Sequence, residues 1–344
     1  MRNNQTVKRR RMSAFLYKKQ RSPAQSTNRF QDAKRPEIDL LPVCRRGRSG
    51  TGIRITMIES VSNPKVKHLV LLREKSRARN KEGLFPVEGI KMFAEAPYER
   101  IREVYVGRTL WRQMEESCGG HKAAPVHALV WEKLCACMER GIYVEQVSDE
   151  VLRKASDTQT PQGLLFLMEQ FSYTIGGMLQ NALERQQRDG RPPLFLLLED
   201  IQDPGNLGTM LRTGEGAGAC GVIMSRKTAD IYNPKTIRST MGSLYRIPFL
   251  YVEELSEAID ALRQNRITVY AAHLRGEQYY DEISYEGGSA FLIGNEGSGL
   301  KRETAGLADV WLKIPMEGRL ESLNAAVSAA LLMYRASGEY RRKN

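Results

Sequence analysis

The stretch that decides the fold runs Leu194-Phe195-Leu196-Leu197-Leu198-Glu199-Asp200-Ile201-Gln202-Asp203-Pro204-Gly205-Asn206-Leu207-Gly208-Thr209-Met210-Leu211-Arg212-Thr213. It opens on an unbroken apolar run of strand length with no polar alternate, the pattern of a parallel strand covered on both faces. The polar loop Glu199–Gly205 follows, then a helix carrying Leu207, Met210 and Leu211. The same alternation recurs downstream. Strands are expected at Gly221–Met224, Thr268–Ala272, Ala290–Gly294 and Val310–Ile314, with helices around Pro234–Ser243 and at Glu253–Gln264 and Ser322–Arg335. Strands alternating with helices predict an α/β domain with a mostly parallel sheet over residues 192–344.

Upstream of it, Pro192-Pro193 stops any helix, and residues 171–191, with the polar stretch Gln180–Arg191, read as a helix plus linker. Residues 57–170 read as a smaller α+β domain, with helices at Lys67–Arg73 and Met92–Ala96 and strands at Val104–Val106, Val126–Val130 and Gly163–Met168. A basic cluster there, Arg73, Lys75, Arg77, Arg79 and Lys81, is either a solvated surface or a contact to RNA. Residues 1–56 lack any periodic pattern and read as a disordered basic arm. They hold fifteen Lys and Arg against three acids, whereas the other 288 residues balance at 37 of each sign. The net charge of +12 therefore sits wholly in this arm. Two readings of it stand, an arm that contacts RNA phosphates and sequence upstream of a start at Met57. Mass spectrometry of the native N-terminus separates them.

Composition excludes several classes. The 344 residues are 41% apolar and 27% charged, ordinary globular usage. No apolar run approaches a membrane span. The five cysteines, irregularly spaced, do not form a disulfide framework, and the first residues show no apolar signal core. A reduced, cytoplasmic protein is expected. Gly216-Ala217-Gly218-Ala219-Cys220-Gly221 satisfies GxGxxG, but the glycines end a helix and precede a strand. A dinucleotide fingerprint requires the reverse, which argues against a nicotinamide oxidoreductase. Cys135-Ala136-Cys137 lacks a second ligand pair, and no metal is expected. His68 and His273 are isolated, so no acyl-transfer triad is supported.

Three loops at the carboxyl ends of expected strands stand out, because open α/β sheets bind ligands there. The first follows Leu198 and carries Asn206 at the helix start and Arg212 six residues on. The second is Ile293-Gly294-Asn295-Glu296-Gly297-Ser298-Gly299-Leu300, a glycine-rich turn with one carboxylate. The third is Ile314-Pro315-Met316-Glu317-Gly318-Arg319-Leu320-Glu321-Ser322-Leu323-Asn324-Ala325-Ala326-Val327, a strand end, a loop and a helix of small residues. Singly, each is an ordinary turn or cap.

In this order the three segments closely resemble the signature motifs of the SpoU/TrmH-type RNA 2′-O-ribose methyltransferases, a branch of the SPOUT class, over about residues 192–340. Residues 60–165, including the turn Pro161-Gln162-Gly163, are similar to that family's N-terminal substrate-binding domain, of L30e/L7Ae-like fold. One departure is Ala325-Ala326, where the family usually has Val-Ser.

The resemblance implies a doubly wound parallel sheet closed as a trefoil knot, S-adenosylmethionine as methyl donor, and a homodimer with the active site at its interface. It implies Asn206, Arg212, Glu296, Ser322 and Asn324 as catalytic residues. Gly294, Ile314, Met316 and Leu323, with Ala271 and Leu274, would hold the donor. It further implies RNA as partner, ribosomal RNA ahead of transfer RNA given the extra domain. A knotted RNA-binding factor without catalysis is the competing reading, and the intact set of five polar residues argues against it. Arg212 is expected to bind the target phosphate and stabilise charge on the attacking oxygen, because a guanidinium does not readily act as a base. Glu296, the phosphate or water would take the proton.

Overall fold

The computed structural model describes residues 57–118 and 125–343; the basic arm and His121 lie outside them. The N-terminal part runs β1 (Met57–Ile58), α1 (Pro64–Glu74), α2 (Ser76–Glu82), β2 (Leu84–Glu88), α3 (Ile90–Glu95), β3 (Ile101–Gly107), α4 (Arg108–Cys118), α5 (Pro125–Glu139), β4 (Tyr143–Val147), α6 (Asp149–Ala155) and β5 (Leu164–Glu169). Its strands lie in the order β1-β4-β3-β5-β2. The first three are parallel, and β5 runs antiparallel to both of its neighbours. The segment Val126–Val130 is helical, not the strand its apolar residues suggested. Pro125 opens α5, and Val130, Leu134 and Cys137, spaced four and three apart, are all buried while Leu129 stays exposed.

The segment expected as helix plus linker forms α7 (Ile175–Asp189), capped by Thr174 and closed by Gly190 at φ +70°. It buries Met178, Leu179 and Ala182 against the second sheet, so it is a layer of that sheet and not a spacer. The remainder runs β6 (Leu194–Leu198), α8 (Pro204–Ala217), β7 (Gly221–Ser225), α9 (Pro234–Thr240), β8 (Phe249–Val252), α10 (Leu255–Gln264), β9 (Ile267–Ala272), β10 (Gln278–Tyr279), β11 (Gly288–Ile293), α11 (Arg302–Ala305), β12 (Val310–Lys313) and α12 (Ala325–Lys343). All seven strands are parallel, in the order β10-β12-β9-β11-β6-β7-β8.

Alternation along β6 explains its sequence. Leu194, Leu196 and Leu198 pack with residues of α8, α9 and α12. Phe195 and Leu197 pack with α7 and α10. Both faces are covered, so no position tolerates a polar side chain. At the glycine-rich stretch, α8 ends at Ala217, Gly218 takes φ +82°, and β7 begins at Gly221. The glycines thus close a helix and lead into a strand, the reverse of a dinucleotide fingerprint.

Because β12, β9, β11 and β6 are adjacent and parallel, the loops that leave their carboxyl ends share one edge of the sheet. The N-terminal sheet is joined to this domain by aromatic packing, with the Phe85 and Tyr232 rings 4.4 Å apart and Phe171, Tyr173 and Phe249 around them.

Candidate active site

α8 begins two residues earlier than the sequence suggests, at Pro204 in place of Asn206. Asp203 is its N-cap, accepting from Asn206 N at 2.8 Å, and Pro204 takes the first helical position. Asn206 therefore lies within the first turn. Its amide and the end of the second loop meet: Glu296 Oε1 accepts from Asn206 Nδ2 at 3.0 Å and from Asp203 N at 3.0 Å, and Oε2 accepts from Gln202 N at 3.0 Å. The third loop joins from the other side, with Asn324 Nδ2 donating to Asn206 Oδ1 at 3.0 Å. Asn324 Oδ1 is committed to capping α12, accepting from Ala326 N at 2.9 Å.

The polarity of this chain is self-consistent. A carboxylate only accepts, which turns the Asn206 NH2 toward Glu296 and leaves its oxygen for Asn324. Glu296 is thus a clamp on residues 202–206. Burial pushes its carboxyl up, but the donors from Gln202, Asn206 and Asp203 outweigh that and hold it below the usual carboxylate range.

A second set of contacts anchors the base of the second loop. Glu199 is buried and accepts from Lys301 N at 2.8 Å and Thr304 Oγ1 at 2.5 Å. Asp200 sits at φ +53° and pairs with Lys301 Nζ at 2.8 Å, while its carbonyl accepts from Asn295 Nδ2 at 2.8 Å. The loops at 199–206 and 294–301 are therefore stitched together at both ends. Gly294 sits where they cross. A Cβ there would lie 2.3 Å from Gly299 C, so only glycine permits the approach.

Arg212 is exposed on α8 and Ser322 on the third loop; among the described residues neither side chain has a hydrogen-bond or ion-pair partner. The structure therefore joins Asn206, Glu296 and Asn324 directly and leaves Arg212 and Ser322 unpaired. Among the described residues no hydrogen bond or ion pair joins Glu296 to Arg212.

The expected donor residues divide. Ile314, Met316 and Leu323 are half-buried along the third loop, and Leu274 is exposed beside it. Ala271 buries its side chain in the core with residues of α7 and α10, which leaves its main chain for the crevice. At Gly276, in the turn after β9, a Cβ would meet Leu312 C at 2.5 Å, so only glycine permits this close approach to β12. His273, isolated in sequence, packs at a 34° tilt against Trp311, the ring centroids 4.3 Å apart.

The basic cluster also divides. Arg73 spends its guanidinium on the carbonyls of Lys154 and Ser156 and on Glu74. Arg79 is buried at 3% exposure, donates to the carbonyls of Leu72 and Arg73, and pairs with Asp230 of the other domain. Neither is a free RNA contact, whereas Lys75, Arg77 and Lys81 are exposed. Among the described residues no three His, Cys, Asp or Glu side chains group to hold a metal ion, and no helix is long and apolar enough to cross a membrane.

An all-parallel sheet thus carries three loops at its carboxyl edge, the first bonded to each of the other two, beside a mixed α+β domain. The chain belongs to the SpoU rRNA methylase family, whose model matches residues 193–334, and residues 63–165 match the MRM3-like substrate binding domain. It is 31% identical over 283 residues to the 23S rRNA (guanosine(2553)-2′-O)-methyltransferase RlmP of Bacillus subtilis (strain 168), covering 82% of this chain and 99% of that protein. The crystal structure of an rRNA methyltransferase from Sinorhizobium meliloti superposes with a TM-score of 0.66 at 28% identity, over 83% of this chain and 98% of that one. Its AdoMet-bound form gives a TM-score of 0.64 over the same shares.

Proposed function

We propose that this chain transfers a methyl group from S-adenosylmethionine to a ribose 2′-hydroxyl, with large-subunit ribosomal RNA as substrate. The observation that carries the reading is the hydrogen-bonded run Glu296–Asn206–Asn324, one residue from each of three loops far apart in sequence. The match to the Bacillus protein along nearly its whole length supports ribosomal RNA ahead of transfer RNA.

The residues present suit the donor. Adenine takes apolar slots and main-chain polar groups, and Ile314, Met316 and Leu323 offer half-buried apolar side chains next to closely packed backbone at Gly276 and Gly294. When bound, the donor supplies a methyl already activated on a sulfonium.

The protein's own work is then alignment and charge. Asn206 and Asn324 fix the mutual position of the first and third loops; orientation of this kind supplies several kcal/mol, on the order of 7–11 in well-organised cases. Arg212, free of internal partners, binds the target phosphate and stabilises charge developing on the ribose oxygen. Glu296 is a poor proton acceptor with all its bonds committed and its affinity for a proton depressed, so the proton leaves to the phosphate or to water.

A second copy of the chain completes the site in this reading. Leu320, Val327 and Tyr334 are exposed at 71%, 47% and 45% on the third loop and α12, and apolar side chains so placed fit a homodimer face. We further infer that the C-terminal segment is threaded as the trefoil knot: after β12, beyond β9, α12 returns to pack with β6 and α8. The site of action is the cytoplasm. The test is thermal melting plus transfer. S-adenosylhomocysteine should raise the transition while NAD leaves it unmoved, and labelled donor should pass label to RNA; no shift and no label would refute the reading.

A further inference from the structure

α9 is a short helix wedged between the catalytic helix and the N-terminal domain. Its inner face buries Thr236, Ile237 and Thr240. It lies so close to α8 that a Cβ on Gly208 would meet Ser239 Cβ and the Thr236 carbonyl oxygen at 2.5 Å. Its outer face carries Lys235 and Arg238, one turn apart.

Each cation is held by a carboxylate from a different side. Lys235 Nζ bonds Asp203 Oδ2 at 2.8 Å, and Asp203 is the residue that caps α8 beneath Asn206. Arg238 pairs with Asp157 of the N-terminal domain, in the loop that leads to Pro161-Gln162-Gly163. Both pairs are open to water, the Lys235 and Arg238 side chains being 56% and 39% exposed. Exposed pairs of this kind are weak and exchange partners readily. At the end of the helix Met241 stands 40% exposed at φ +51°, one of three described non-glycine residues with positive φ. That conformation is costly for an unbranched long side chain and turns an apolar group to the surface.

We propose that this outer face of α9 is the track on which an RNA strand crosses from the substrate-binding domain to the catalytic loops. Phosphates replace Asp203 and Asp157 on Lys235 and Arg238, and Met241 packs against a base. The inference rests on the RNA-methyltransferase reading and adds to it the path of the substrate. A Cβ on Gly205 would stand 3.5 Å from Lys235 Cε, so the track ends one residue from Asn206. At its other end Asp157 N bonds Glu88, at the start of the Gly89 turn of the N-terminal domain.

The test uses the full chain and an unmodified large-subunit rRNA transcript, measuring affinity by filter binding across a salt series. Lys235→Gln/Arg238→Gln should lower the salt slope by about 1.4, the loss of two single-strand phosphate contacts, with S-adenosylhomocysteine affinity unchanged. Asp157→Asn should tighten RNA binding about two- to fivefold, the scale of a released surface pair. That gain is one a merely misfolded variant does not give. A wild-type slope in the double variant, or no gain in Asp157→Asn, overturns the track. Methyl transfer by the wild type is scored separately. RNA binding with these effects but no transfer overturns the proposed activity and leaves the track standing; transfer without these effects does the reverse.

Discussion

Replacing Glu296 by Gln is the sharpest internal perturbation of the site. The wild-type carboxylate accepts three hydrogen bonds, from Gln202 N, Asp203 N and Asn206 Nδ2, each at 3.0 Å. An amide keeps one acceptor. In its better orientation the oxygen retains Asp203 and Asn206, while its NH2 faces the Gln202 N–H donor to donor. One charge-assisted bond, about 1.5–3 kcal/mol, is lost and two become neutral; because the group is at the surface, water recovers part, leaving about 2 kcal/mol. For a chain of this size that is a fall in Tm of roughly 3 °C. Turnover should drop on the order of 10–100-fold, because the first loop is no longer held against the second.

The sign of the pH dependence follows. The folded carboxyl is depressed below its unfolded value, so its stabilisation is complete above about pH 4.3 and fades as pH falls through the folded value. The gap between wild type and variant should therefore narrow below about pH 4.3. Calorimetric melting and steady-state methyl transfer check both halves. A variant with wild-type Tm and turnover would refute the clamp.

Arg212→Ala should reduce methyl transfer on the order of 10²–10³-fold, while S-adenosylhomocysteine affinity by titration calorimetry stays within a few-fold. Arg79→Ala should cost about 3 kcal/mol in a denaturant titration, since it strands Asp230 and two carbonyls, and RNA affinity should hold. Gly294→Ala, with its methyl forced onto Gly299, should cost about 1–3 kcal/mol and weaken S-adenosylhomocysteine binding at least about tenfold.

The legible parts of the fold are those where one residue's environment is written in its neighbours. The run Leu194–Leu198 is a strand at the expected bounds because a strand buried on both faces leaves no alternative. The three loops were visible because each couples a strand end to a distinctive polar residue. Asn206 reads as the first residue of its helix and is in fact the third, although Asp203-Pro204, a cap followed by proline, carries the correct start. The strand β8 leaves no clear mark in the sequence, because Phe249–Val252 is short and only partly buried.

Other features were not legible at all. Arg79 reads as one more charge in a basic run; its partner Asp230 lies 151 positions away, and only packing of the two domains reveals it. The same holds for Glu199 and Lys301, which look like solvated charges until β6 and the second loop are brought together. Val126–Val130 misled through apolar content alone, since helix and strand both bury such residues.

The most direct test of the central claim is the chemical position of the methyl group. Unmodified large-subunit rRNA is incubated with the full chain and labelled S-adenosylmethionine, digested with alkali, and analysed by mass spectrometry. The account predicts label in alkali-resistant dinucleotides, because a ribose whose 2′-oxygen is methylated cannot attack its own phosphodiester. Label confined to mononucleotides, on a base, would contradict it.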